Sequence, residues 1–310
     1  MDRGAIEFQE NKVIIRAAKN FNIKQTFECG QCFRWEKIND NNFIGVAYGR
    51  VLEVIQEGDD IILENTNKED FENIWRNYFD LDRDYSTIKK ELAKDKILRE
   101  AVEFGYGIRV LNQEPFELVI SFIISARNSI PVISRTINEI SKRWGEKIEY
   151  KGKEYYAFPT VEKLAGLTEA EVKEAGGSFR SKYIVDTSKK INDAIKIKEG
   201  KLEVENKEEF LENYDLERIV NLEDDACHKA LQNYAGIGAK VADCIMLFSM
   251  GKTSAFPVDR WVQRAMVYFY NAEEGSLNKI RDFARDRFKE FSGFVQQYLF
   301  YYVREKGIKL

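Results

Sequence analysis

The chain has 310 residues, 44% of them hydrophobic and 13% aromatic, with 52 acidic against 48 basic side chains. That length and apolar content suit a globular protein of one to three domains with a sizeable buried core. A net charge of −4 argues against an indiscriminate nucleic-acid binder, since phosphate contacts dominate such affinity, but leaves room for a local basic face. No apolar run reaches the roughly 18 residues of a membrane span. The acidic, polar start MDRGAIEFQE has no signal-peptide core. Four cysteines do not make a disulfide framework, so a cytoplasmic, reducing location is expected.

Residues 1–65 read mostly as strands. Lys12–Ala17, Cys32–Glu36, Phe43–Tyr48 and Arg50–Gln56 are rich in β-branched and aromatic residues, and Gly49 suggests a tight hairpin. Cys29-Gly-Gln-Cys32 has the spacing of a half metal site, but zinc needs about four ligands, and Cys227, Cys244 and His228 are scattered elsewhere. No metal is expected. The charged break Asp80–Asp84 sets a domain boundary, giving a sheet domain over 1–85 and a helical body over 86–310. Helical spacing is read over Phe71–Tyr78, Tyr85–Ala93, Ile97–Phe104, Pro115–Ile124 and Val132–Trp144. Arg127-Asn128-Ser129 sits in the polar break between the last two. A small hairpin is expected within Glu146–Phe158, helices over Val161–Ala175 and from about Tyr183 to Ile197, and one long final helix over Arg281–Val303.

The densest chemistry lies in Leu231–Arg264. Gly236-Ile237-Gly238 reads as a tight turn between helices, with both glycines allowing positive φ and close backbone approach. A helix starts at once, with Val241, Cys244, Ile245 and Phe248 on one stripe. Free N–H groups at such a start bind anions, including phosphate. Lys240 falls in the first turn, where the helix dipole disfavours its ammonium, so a neutral, nucleophilic amine is plausible. Asp259, after Pro257-Val258, reads as the N-cap of the next helix. Over residues 226–270, Lys229, Lys240, Lys252, Arg260 and Arg264 against Asp243 and Asp259 make the region net positive inside an acidic protein.

Taken together, Gly-Ile-Gly-Ala-Lys-Val-Ala-Asp-Cys-Ile and Phe-Pro-Val-Asp resemble the helix-hairpin-helix/Gly-Pro-Asp superfamily of DNA glycosylases, in its 8-oxoguanine branch. Gly30-Gln31-Cys32-Phe33-Arg34-Trp35 resembles that branch's Gly-Gln-x-Phe-Arg-Trp segment, whose glycine carbonyl accepts the N7 proton of 8-oxoguanine; the residue here is Gly30. Arg127, Asn128 and Ser129 match its loop entering the duplex at the lesion. Val132 stands where the family has an arginine that reads the opposite cytosine, which implies weaker discrimination of the opposite base. Phe179 and Arg180 match its wedge and opposite-strand contact, although the residues alone read equally as a helix cap and a core aromatic. Gly-x-x-Gln-x-x-Leu-Phe places Gln296 on the base's pairing edge and Phe300 stacked on it, with Cys244 over the other face. Phe248 and Trp261 replace smaller or polar residues of eukaryotic members, near the pocket or the lesion's 5′ phosphate. No C-terminal four-cysteine pattern of the iron–sulfur branches follows.

The resemblance implies an α+β fold, with an N-terminal antiparallel sheet domain packed on a mainly helical body. It implies base excision of 8-oxoguanine through a Lys240 Schiff base, with Asp259 stabilising charge on the sugar and an associated abasic-site lyase. The expected partner is double-stranded DNA holding the lesion, met by a monomer without metal or cofactor. Three other readings stay open: an alkylated-purine glycosylase, against which Lys240 speaks; a non-catalytic helix-hairpin-helix DNA-binding protein; and a protein–protein helical scaffold, which the acidic charge balance allows but which explains none of the motif spacing.

Overall fold

A computed structural model describes residues 2–308 of the chain. They divide into two compact units, each discontinuous in sequence. The sheet unit comprises the chain up to Gly45, Val51–Asn112, and everything from Gly251 on; the helical unit comprises Val46–Arg50 and Gln113–Met250.

The sheet unit is built on β1 (Ile6–Gln9), β2 (Lys12–Ile15), β3 (Trp35–Asn39), β4 (Asn42–Ala47), β5 (Arg50–Glu57) and β6 (Asp60–Glu64), in the order β1-β2-β6-β5-β4-β3. The register is set by Val13 opposite Leu63 and Val54 opposite Leu63, all fully buried, which keeps one face apolar. Tyr48 and Gly49, at the turn between β4 and β5, both have positive φ, as a two-residue hairpin turn requires. The expected strand over Cys32–Glu36 starts only at Trp35. Ahead of it Ile23–Glu28 forms a helix that the residue pattern did not suggest, started by Asn22, whose side chain accepts from Gln25 N at 2.9 Å. The core of this unit is aromatic. Phe27 stacks on Trp35 with centroids 4.1 Å apart, and Trp35 Nε1 donates to the Tyr78 hydroxyl at 2.7 Å.

The end of the chain differs from the single helix expected over Arg281–Val303. Ser276 caps a helix over Leu277–Phe288; the chain breaks at Lys289 (φ +50°) and restarts as Ser292–Lys306. Gly293 N donates to Thr253 O at 2.7 Å, a tertiary bond that holds the second helix's start.

In the helical unit, Pro115–Ser125 is started by Glu114, whose carboxylate accepts from Phe116 N and Glu117 N. This helix and Ala239–Ser249 are buried almost all round and pack on each other, the pattern of central helices. The short hairpin appears as β7 (Lys147–Tyr150) and β8 (Lys153–Tyr156). The expected helix over Val161–Ala175 is instead two, Val161–Ala165 and Glu169–Val172. Thr168 and Glu171 form a reciprocal capping box between them, which starts a new helix rather than continuing the old one. No helix among the described residues is long and apolar enough to cross a membrane.

Candidate active site

In the helical unit the turn between Asp224–Leu231 and Ala239–Ser249 is held from below. Tyr234 is buried and donates to Tyr214 O at 2.9 Å, Ile237 N donates to Tyr234 O at 3.2 Å, and the Ile237 side chain is buried. The two glycines do different work. Gly236 has φ +86°, and a Cβ there would stand 2.9 Å from Tyr183 Cδ2. Gly238 has φ −100°, not the positive value expected, and a Cβ there would meet nothing within 4 Å. It caps Ala239–Ser249 with no side-chain hydrogen bond. Gly236 thus serves packing, and Gly238 leaves an open, exposed backbone at a helix start, where an anion is favoured. His228 ties the two helices: its Nε2 lies 3.1 Å from Ala239 O and 3.7 Å from the fully buried Asp243 carboxylate.

Lys240 is half-buried in the first turn. Its Nζ stands 5.6 Å from the centroid of Phe122, which stacks on Phe248 with centroids 6.0 Å apart. Phe122, on the helix before the Arg127 loop, was not singled out in the sequence; a lone apolar residue in an apolar helix gives no signal. Phe248 is buried against it, and its carbonyl accepts from Gln113 N at 2.8 Å. Cys244, one turn on from Lys240, is also buried.

The two expected DNA loops meet within this unit. Arg127 has φ +57° and is exposed, Ser129 is exposed at the start of Ile130–Trp144, and Asn128 Nδ2 donates to Ile124 O at 2.9 Å. Phe179 is 53% exposed, too open for a core aromatic. Arg180 is buried instead: Nε donates to Ala126 O at 2.8 Å, Nη2 donates to the same oxygen, and the guanidinium lies 4.2 Å from the Phe179 centroid. Burial, with Arg127 nearby, lowers its pKa. Arg180 therefore joins the wedge turn to the Arg127 loop, while Phe179 projects.

In the sheet unit Asp259 caps Arg260–Tyr270, accepting from Val262 N at 2.8 Å; Trp261 stands exposed in the first turn. Gly30 has φ +88°, and a Cβ there would stand 3.3 Å from the Phe300 ring, so Gly30 and Phe300 are neighbours. The turn is pinned on both sides of Gly30. Gln297 Nε2 donates to Cys29 O at 3.1 Å, and buried Gln31 donates to Thr26 O at 2.9 Å and Arg109 O at 2.7 Å while accepting from Leu111 N. No described residue donates to the Gly30 carbonyl. Gln296 is buried on the last helix. The Cys29 thiol is pushed up to about 11 and that of Cys32 well above its ordinary value, both chiefly by burial, so these are packed, protonated thiols.

Two sequence families match the chain. Residues 13–119 match 8-oxoguanine DNA glycosylase, N-terminal domain, and residues 120–290 match HhH-GPD superfamily base excision DNA repair protein. The chain belongs to this superfamily of base excision DNA repair proteins, in its 8-oxoguanine DNA glycosylase branch. It is 30% identical to the N-glycosylase/DNA lyase of Saccharomyces cerevisiae over 279 residues, 84% of this chain and 71% of that one. To the probable N-glycosylase/DNA lyase of Methanothermobacter thermautotrophicus it is 29% identical over 265 residues, 79% and 77%. Among solved structures, the 8-oxoguanine glycosylase/lyase of Clostridium acetobutylicum, in complex with double-stranded DNA containing cytosine opposite 8-oxoguanine, is 50% identical. It aligns with a TM-score of 0.90, covering 99% of this chain and all of that one.

Proposed function

We propose that the chain is a bifunctional enzyme that excises 8-oxoguanine from duplex DNA and then cleaves the abasic strand. The observation that carries this is Lys240, in the first turn of a hairpin helix whose open start has no side-chain cap, in a chain half identical to an 8-oxoguanine glycosylase/lyase. The base must leave the stack before any side chain can reach its sugar. The open backbone at Gly238 takes a phosphate, which positions DNA without reading sequence. Exposed Phe179 wedges beside the lesion, and Arg127, Asn128 and Ser129 enter the vacated space. In the sheet unit Phe300 stacks on the extruded base, Gln296 meets its pairing edge and the Gly30 carbonyl accepts the N7 proton; in the helical unit Cys244 and Phe248 are the residues matched to base contact. Trp261 lies toward the 5′ phosphate.

Lys240 acts as the neutral amine. Its nitrogen bonds C1′ as the C1′–N9 bond breaks, and the base leaves with the electron pair and takes up a proton. The Asp259 carboxylate, fixed by its cap bond, stabilises the positive charge on the sugar. Ring opening gives a Schiff base; loss of a C2′ proton then expels the 3′ phosphate. The scheme uses no metal or cofactor and one copy of the chain. A duplex substrate places the enzyme at the DNA, which in a bacterium is the cytoplasm and its nucleoid.

The test is borohydride trapping on a duplex with one 8-oxoguanine opposite cytosine. A covalent adduct with wild type and none with Lys240→Gln is expected. Base loss without any adduct would remove Lys240 as nucleophile and favour an alkylated-purine type of chemistry. Binding with neither adduct nor base loss would leave only a DNA-binding module.

A further inference from the structure

The last helix carries Gln296, Phe300 and Arg304 at i, i+4 and i+8, along one face. Two atoms on that face are buried with no hydrogen-bond partner among the described residues: Gln296 Oε1 and Arg304 Nη1. Buried polar atoms are nearly always paired, because leaving one unmade is costly, so an orphan marks a place for an absent partner. The remainder of Arg304 is tied down. Nη2 donates to Glu28 O at 2.5 Å, Nε donates to the Glu305 carboxylate at 2.7 Å, and the guanidinium lies 5.0 Å from the Phe300 centroid. Nη1 is thereby held beside Gly30: a Cβ on that glycine would stand 3.1 Å from it.

We propose that Arg304 is a further specificity-determining residue, whose Nη1 donates a hydrogen bond to the C6 oxygen of the extruded purine, on the edge that carries N7. This rests on the reading that Gly30 faces that edge. An 8-oxopurine presents there an N7 proton flanked by the C8 oxygen, and in guanine derivatives the C6 oxygen lies on the other flank. The Gly30 carbonyl answers the proton, and a guanidinium answers an oxygen. Arginine has donors and no acceptor, so an edge with an amino group beside N7 leaves two donors facing each other. The pocket so built favours 8-oxoguanine over 8-oxoadenine.

The test compares wild type, Arg304→Met and Arg304→Lys in single-turnover excision of 8-oxoguanine and of 8-oxoadenine, and in strand cleavage of a duplex with a preformed abasic site. Arg304→Met is expected to slow 8-oxoguanine excision about 10-fold or more, to lower the 8-oxoguanine to 8-oxoadenine ratio, and to leave abasic-site cleavage within about twofold. Arg304→Lys, which keeps a donor, recovers part of the loss. Equal slowing on lesion and abasic duplexes would show that Arg304 only holds the fold, and an unchanged excision rate would show that it touches nothing; either overturns the proposal. Wild type that cleaves abasic DNA but excises no 8-oxoguanine overturns the functional reading itself, and this inference with it.

Discussion

The two glycines of the hairpin allow folding and binding to be separated by one methyl group. In Gly236→Ala the new residue must hold φ +86°, which costs about 1–2 kcal/mol for an L-residue. Its Cβ also falls 2.9 Å, 3.0 Å and 3.1 Å from Tyr183 Cδ2, Cγ and Cβ. Those atoms sit next to the backbone of Ser181–Lys198, so the ring cannot swing clear, and overpacking adds about 1–3 kcal/mol. The sum, about 2–5 kcal/mol, lowers the melting temperature of a chain this long by about 3–8 °C. Gly238→Ala meets neither penalty: its φ is −100° and nothing lies within 4 Å. Loss of a glycine cap costs about 1 kcal/mol or less, and the stiffer unfolded chain offsets part of it. Its methyl stands on the open face of the helix start, so duplex affinity should fall about 10-fold. Circular dichroism melts and fluorescence anisotropy with a labelled duplex read the two effects. Equal melting temperatures for the two variants would refute the division of labour argued from Tyr183.

Asp259→Asn keeps an N-cap side chain, so stability should change by less than about 0.5 kcal/mol, while excision falls about 100-fold or more with the carboxylate gone; urea denaturation beside single-turnover kinetics checks both, and near-normal excision would remove Asp259 from the chemistry. Arg180→Met leaves the Ala126 carbonyl without its donor and should cost about 1–3 kcal/mol, a loss visible in the urea midpoint. Lys89 is buried, donates to Asn20 Oδ1 and the Tyr106 carbonyl, and has its pKa lowered to about 7 by burial and then by Arg109, against a raising effect of Asp2. The folded state then binds fewer protons than the unfolded one between about pH 7 and the ordinary lysine value, so stability should rise with pH across that window. Lys89→Met should flatten that rise by a few kcal/mol in denaturation curves taken at several pH values; a parallel pH profile would show that the amine stays charged in its niche.

What the residues made legible follows how local its cause is. Asp259 as a cap, the Tyr48-Gly49 turn and the small hairpin rest on neighbours within a few positions, and each appears in the fold. The helix over Ile23–Glu28 escaped because its six residues make fewer than two turns, too few for a repeating stripe; it is held by Asn22 and by Gly107, whose carbonyl accepts from Asn22 N and Thr26 Oγ1. The break at Lys289 lies inside an uninterrupted helical pattern, and only the bond from Gly293 to distant Thr253 shows why the chain restarts there. Within the candidate site, Lys240 and Gly30 were marked by motifs. Phe122, Gln297 and Arg304 were not, since each matters through a partner far along the chain. Arg180 was legible as a residue but not as an internal tie, because a surface arginine and a buried one look alike in sequence.

The sheet unit also dictates an order of events during synthesis. Residues 113–250 are continuous and can collapse as soon as they leave the ribosome. The Glu28–Gln31 turn emerges early but must wait for Gln297 and Arg304, partners 268 and 276 positions later, before its carbonyls are claimed. Closing so long a loop is slow, and the turn spends the interval without them. The turn proposed to read the base is therefore the last to be finished, so a nascent chain can carry Lys240 on a formed hairpin before that turn is held by its partners.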